Sequence, residues 1–227
     1  MTNRLAIIPA RGGSKRIPDK NIREFCGKPI LMHILESAIK SSLFDKIHVS
    51  TESRKIAKIL KENGYEIDFF RPKKLADDFT PILQVLYFVL DRLQVKYDEV
   101  WLLTSTAALL NKKDLLDISN TYNKSKKKLP MLGVGEFPIP IDWAFRMNNE
   151  GTISALNPEY LSKRSQDIEK KYYDAGLFCV FSNQNLIDLK EGKNLDYNSY
   201  LVPKYKAIDI DEMGDWKIAE ALFKNHN

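Results

Sequence analysis

Apolar residues in this chain come in two spacings, short unbroken runs and helical repeats, and the two alternate along most of its length. Leu5, Ala6, Ile7 and Ile8 form an unbroken run with a turn signal after it, the pattern of a strand buried on both faces of a parallel sheet. Behind Pro29, which suits a first helical turn, Ile30, Leu31, Ile34, Leu35, Ala38 and Ile39 recur at helical spacing. A second strand is expected over 47–50 and a second helix over 54–63, stopped by Gly64 as a C-cap. The pattern then predicts a third strand over 67–70, a helix over 82–96, a fourth strand over 99–104, a helix over 112–124 and a fifth strand over 131–135. Strands alternating with helices in this way imply an α/β fold with a doubly wound, mostly parallel, Rossmann-like sheet.

From Phe137 the pattern changes. Phe137-Pro-Ile-Pro140, Trp143-Ala-Phe145, the turn at 148–151 and Thr152-Ile-Ser154 suggest short antiparallel strands, and residues 160–171 are polar and charged. Residues from about 138 to 171 therefore read as an insertion that projects from the sheet of a single domain spanning 1–227. A strand over 173–181 returns to the core, a short helix follows at 184–189, and a last strand at 206–211 precedes a closing helix at 215–223.

Composition narrows the class. The chain of 227 residues is 44% hydrophobic and 29% charged, as a globular domain is, with no apolar run near the length of a membrane span. Met1-Thr-Asn-Arg leads straight into the first strand, so no signal peptide is expected and the cytoplasm is the expected compartment. Cys26 and Cys179 are too few for a disulfide framework and are expected to be reduced. The net charge of +5 suits an anionic small substrate as well as a nucleic acid. The dense run Lys124-Ser-Lys-Lys-Lys128 reads as a solvated loop, with no RNA-binding signature beside it.

Two stretches carry candidate chemistry. Between Arg11 and Lys20 lie two adjacent glycines and four cations, Arg11, Lys15, Arg16 and Lys20. Gly12 and Gly13 allow positive φ and leave amides uncovered, so this loop suits a triphosphate; an ordinary basic connection has the same composition. It is neither a Walker A loop nor Gly-x-Gly-x-x-Gly. In an open parallel sheet, ligands bind outside the carboxyl ends of the strands, which is where this loop leaves the first strand. The second stretch, Ile208-Asp209-Ile210-Asp211, puts two carboxylates on one face of a strand, either as hard oxygen ligands for Mg²⁺ or as two solvated aspartates. His33 and His48 read as structural histidines, and no general base stands out.

Ile8-Pro-Ala-Arg-Gly-Gly-Ser-Lys-Arg-Ile-Pro-Asp-Lys-Asn21, with Gly27-Lys28-Pro29 after it, resembles the opening signature of the acylneuraminate cytidylyltransferases, which activate sialic acid-type sugars as CMP-sugars. The related octulosonate enzymes open differently after Ala-Arg. The resemblance implies a nucleotidyltransferase fold and a CTP site built from Ala10, Arg11, Gly12, Gly13, Ser14, Lys15, Lys20 and Asn21. It extends to Ile-Asp-Ile-Asp with Asp215-Trp216, implying that Asp209 and Asp211 bind Mg²⁺ or Mn²⁺ and, with Arg11 and Lys20, serve catalysis. Arg71-Pro72 and Thr80 match positions that help hold cytosine and ribose. Arg71 is an always charged donor suited to a base carbonyl, and Thr80 is equally suited to cap the next helix.

The fourth strand departs from the pattern: Thr104 stands where many members have the Gln that contacts the sugar, and Leu110 where they have Arg. Glu136-Phe-Pro-Ile-Pro140, Asn157-Pro-Glu159, Arg164-Ser-Gln-Asp167 and Tyr172-Tyr-Asp-Ala-Gly176 resemble the pseudaminic acid cytidylyltransferase branch. That implies a homodimer joined through the insertion, with CTP and a nine-carbon 2-keto sugar acid as partners, and neither nucleic acid nor membrane. Arg164, helped by Gln166, is then a candidate for the sugar carboxylate or else a surface salt-bridge arginine. Asp174 either reaches the sugar or caps a turn before Gly176. The expected reaction is CMP transfer to pseudaminic acid, with legionaminic or N-acetylneuraminic acid as alternative acceptors and a non-catalytic nucleotide-binding regulator as an alternative role.

Overall fold

A computed structural model describes residues 2–125 and 129–226 of the chain. The expected loop at Lys124–Lys128 lies outside the described residues from position 126 onward. The elements are, in order, β1 (Arg4–Pro9), β2 (Glu24–Phe25), β3 (Lys28–Pro29), α1 (Ile30–Ser41), β4 (Lys46–Ser50), α2 (Arg54–Glu62), α3 (Ile82–Leu93), β5 (Glu99–Leu103), α4 (Lys112–Lys124) and β6 (Met131–Glu136). They continue with β7 (Phe145–Met147), β8 (Ile153–Ala155), β9 (Tyr172–Ser182), α5 (Asn183–Lys190), β10 (Asn198–Leu201) and α6 (Met213–His226). No helix among the described residues is long and apolar enough to cross a membrane.

Among the described residues six strands form the central sheet in the order β10-β6-β9-β5-β1-β4. Five run the same way; β9 alone is antiparallel to its neighbours β5 and β6. The unbroken run in β1 is buried on both faces: Ala6 and Ile8 pack with α1 and α4 residues, and Leu5 and Ile7 pack with α3 and α5 residues. Each large side chain so buried contributes about 2 kcal/mol. From β1 the chain crosses to β4 through α1 and comes back to β5 through α3, on the other side of β1 and over the opposite face. This reversal opens a crevice at the carboxyl ends of β1 and β5.

Two expected strands are absent from the sheet. Residues 67–70 keep the alternation of a strand, with Phe69 stacked on His48 and Phe70 exposed. They run free of any ladder until the Arg71 amide donates to the Thr51 carbonyl. Residues 206–211 are not a strand either, because side chains take up their backbone groups: Lys20 Nζ donates to the Ile210 carbonyl and Asp215 Oδ2 accepts the Asp211 amide. The sheet instead gains β10, parallel to β6, from a polar segment with no strand signature. Pro29 lies one position before α1 rather than in its first turn, whereas Gly64 stops α2 at φ +80°. Between β6 and β9 the chain makes the β7–β8 hairpin and polar turns, closed at the neck where the Phe137 amide donates to the Lys171 carbonyl.

Candidate active site

The segments leaving β1 and β5, the stretch from Arg71 into α3 and the stretch before α6 border a cleft of about 400 Å³ at the carboxyl ends of the parallel strands. It is lined by Arg11, Ser14, Lys15, Lys20, Asn21, Arg71, Thr80, Thr104, Asp209 and Asp211, ten residues singled out in the sequence, with Arg16 beside them. Ala10, Gly12, Gly13, Arg164, Gln166 and Asp174 do not line it.

The glycine pair differs from expectation. Neither Gly12 nor Gly13 adopts a positive φ, and the Gly12 amide points at Glu52 Oε1, 2.7 Å away, instead of into the cleft. Gly12 serves close approach: a Cβ there would stand 3.0 Å from Ser53 Cβ. Ala10 is fully buried, its amide on the Ser50 carbonyl. The cations do face the cleft. Asp78 draws in Arg11 Nη1 at 2.8 Å together with Lys15, so a carboxylate holds the pair expected on phosphate. Asn21 braces the cleft, donating to the Arg11 carbonyl at 2.7 Å and accepting from Ser105 Oγ at 2.5 Å.

Arg71 is buried, with Nη2 3.1 Å from Glu52 Oε2. Thr80 does not cap α3, whose N-cap position is Pro81; its hydroxyl donates to Asp77 Oδ1 at 2.7 Å. At the end of β5 the Thr104 hydroxyl turns to the Leu177 carbonyl at 3.2 Å, and Leu110 is buried in the core at 1% exposure, leaving no room there for a solvated arginine.

The two aspartates sit opposite the cationic loop, on a segment that is extended without being in a ladder. Ile210 between them is fully buried against Ile17, Phe25 and Trp216, so both carboxylates turn to the same side. Asp211 takes Arg16 at 2.8 Å and Lys20 at 3.3 Å. Among the described residues no cation pairs with Asp209, and burial together with the Asp211 charge pushes its carboxyl above the usual range. No group of three or more His, Cys, Asp or Glu is gathered as a metal cage among the described residues. Two hard carboxylates, one of them without a cation partner among the described residues, still fit a divalent cation whose remaining ligands come from a phosphorylated substrate.

The insertion residues behave locally. Arg164 forms a bidentate pair with Asp167 at 2.8 and 3.1 Å, outside the cleft, and Gln166 shares its exposed turn. Asp174 Oδ1 accepts the Gly176 amide at 2.8 Å, the turn-capping arrangement. His33 Nε2 lies 2.8 Å from the Phe25 carbonyl and His48 Nδ1 3.0 Å from Asp68, so both have structural partners. Sequence reasoning missed Glu52, Asp78, Ser105 and Gly176. Asp78 had a signal in the stretch Asp77-Asp78-Phe79-Thr80, and Gly176 in the motif Tyr172-Tyr-Asp-Ala-Gly176, but neither was given a role.

Residues 5–211 match the cytidylyltransferase family. Over 226 residues the chain is 34% identical to a pseudaminic acid cytidylyltransferase of Campylobacter jejuni, covering 98% of this chain and 97% of that protein. It is 27% identical over 230 residues to the CMP-N,N'-diacetyllegionaminic acid synthase of Legionella pneumophila, covering 97% and 96%. The solved structure of a CMP:2-keto-3-deoxy-manno-octonic acid synthetase complexed with CTP aligns over 100% of both chains with a TM-score of 0.73 at 14% identity, a likeness of fold.

Proposed function

The chain belongs to the cytidylyltransferase family, and from that membership we propose that it transfers CMP from CTP to a nonulosonic acid, pseudaminic acid first, releasing pyrophosphate. The observation that supports this most is one of placement. A cationic loop and an acidic pair, linked by Lys20 Nζ donating to the Ile210 carbonyl 190 positions away, face each other across one cleft at the switch point of the sheet.

In this reading the anomeric 2-hydroxyl of the nine-carbon 2-keto acid bonds to the α-phosphorus as the bond from that phosphorus to the β-bridging oxygen breaks. Pyrophosphate leaves with the electron pair, and the hydroxyl proton passes to solvent. Such a transfer needs positioning and charge neutralisation more than covalent help. Arg11 and Lys15 exchange the Asp78 carboxylate for phosphate oxygens, and Lys20 meets the charge that develops on pyrophosphate. Arg71 and Thr80 hold base and ribose, while Thr104 and the neighbouring hydroxyls border the sugar. Asp209 and Asp211 would hold Mg²⁺ or Mn²⁺, which when bound neutralises triphosphate oxygens.

Arg164 and Gln166 do not line the cleft of their own chain, so a part in holding the sugar carboxylate requires a second copy. We therefore assign them to the cleft of a second copy, in a homodimer joined through the insertion. Phe145, Met147 and Ile153 of the β7–β8 hairpin are 48%, 69% and 53% exposed, an apolar surface a second copy would cover. Met147→Asp is expected to sediment as a monomer with sugar turnover reduced.

The reaction is tested by supplying purified protein with CTP, Mg²⁺ and, separately, pseudaminic, legionaminic and N-acetylneuraminic acids, and weighing the product by mass spectrometry. A CMP-sugar formed best with pseudaminic acid is expected. Product with another of the three would move the acceptor but keep the reaction, and no product with any of them would contradict the reading.

A further inference from the structure

Glu52 lies where β4 hands over to α2, between the two halves of the proposed nucleotide site. One carboxylate oxygen, Oε1, accepts the Gly12 amide at 2.7 Å, and the other, Oε2, accepts Arg71 Nη2 at 3.1 Å. The contact is well shielded, with side chains 14% exposed for Glu52 and 4% for Arg71. Charges buried to this degree persist where they are paired. Arg71 is gripped at both ends by the same turn, since its backbone amide donates to the Thr51 carbonyl at 2.8 Å. Its Nε is buried without a hydrogen-bond partner, so the Glu52 contact is what orients the guanidinium among the described residues. The glycine is fitted to the same contact, because a Cβ on Gly12 would come within 3.2 Å of Glu52 Oε1.

We propose that Glu52 is a positioning residue that sets Arg71 and the start of the cationic loop in register, so that the base and the triphosphate of one CTP are met together. The proposal rests on the reading of the cleft as a CTP site. It makes a prediction of sign. A carboxylate acting only through space would repel the triphosphate, and removing its charge would tighten CTP binding; a carboxylate that positions the site weakens binding when it is lost.

The test is the CTP dissociation constant, measured by titration calorimetry in Mg²⁺ buffer for wild type, E52Q, R71A and the double variant. E52Q keeps the shape but turns an amide donor toward one of the two donors, and is expected to weaken CTP binding about tenfold, the scale of one hydrogen bond to a charged group. R71A is expected to weaken it at least as much. In the R71A background E52Q should then add less than about threefold, the non-additivity of residues acting as a unit. Tighter or unchanged binding by E52Q while R71A weakens it would overturn the proposal. So would full multiplication of the two effects, which marks a merely structural role. Unchanged binding by R71A would sink the underlying assignment of Arg71, a failure separate from that of Glu52. Should E52Q not fold, E52D, which keeps the charge and shortens the reach, enters the same cycle with the same expected sign.

Discussion

At Gly176 the backbone has φ +67°, and a Cβ there would lie 2.8 Å from both Cγ and Oδ2 of Asp209. Gly176→Ala therefore both strains a left-handed position, at about 1 kcal/mol, and pushes Asp209 off its seat. The expected outcome is a lower melting temperature and an apparent Mg²⁺ affinity, read from the Mg²⁺ dependence of turnover, that falls about tenfold. An unchanged Mg²⁺ dependence would show that Asp209 does not need its place. His48 makes a second prediction. It is wholly buried, stacked on Phe69 at 4.3 Å and faced by Asp68, with Lys46 on the far side of that carboxylate. Burial holds its imidazole below the ordinary value, against the pull of Asp68. The unfolded chain thus takes up this proton first, so stability is full above about pH 6.5 and falls as the pH drops from there toward the lowered folded-state value. His48→Gln should flatten the acid slope of melting temperature below about pH 6.5, leaving the share of His33, which burial also lowers. An unaltered slope would place the proton uptake elsewhere.

On the scale of elements, the segment carrying Asp209 and Asp211 is held by side chains where a sheet ladder was expected. Lys206 Nζ pairs with Asp114 Oδ2 at 2.5 Å, both residues under 10% exposed, and Tyr173 OH donates to the Ala207 carbonyl at 3.1 Å. Asp215 Oδ2 accepts the amides of Asp211 and Glu212. Lys206→Met leaves Asp114 buried without its cation and is expected to cost about 3 kcal/mol in urea unfolding, with turnover reduced as the segment loosens. A loss of under about 1 kcal/mol would mean that the pair contributes little. These elements also show what a sequence can tell. β1 was legible because burial on both faces leaves an unbroken apolar run. Residues 67–70 and 206–211 keep a true period of two, since Phe69 and Ile210 point inward, but periodicity reports side-chain direction and not whether a neighbouring strand takes the backbone. β10 was illegible because Asn198-Ser-Tyr-Leu sits at the sheet edge with Ser199 and Leu201 exposed, so no apolar alternation was needed. Glu52 gave no sign because its partners lie 40 and 19 positions away.

For the whole molecule, winding in two directions from β1 brings together residues spread from Arg11 to Asp211. The candidate site was legible largely through its motif resemblance, which named both walls of the cleft. Spacing alone left the loop a possible basic connection and the aspartates possible surface acids. The insertion's share of the site was less legible, since Arg164 and Asp174 satisfy each its own local partner within one chain. The central claim is that this cleft joins CTP to a sugar acid through its acidic pair. Pyrophosphate release by wild type and Asp209→Asn, measured side by side at saturating Mg²⁺ with CTP and pseudaminic acid present singly and together, tests it most directly. The account predicts release by wild type only with both substrates, and a loss of at least about a hundredfold in the variant. Release from CTP alone, or equal turnover by Asp209→Asn, would contradict it.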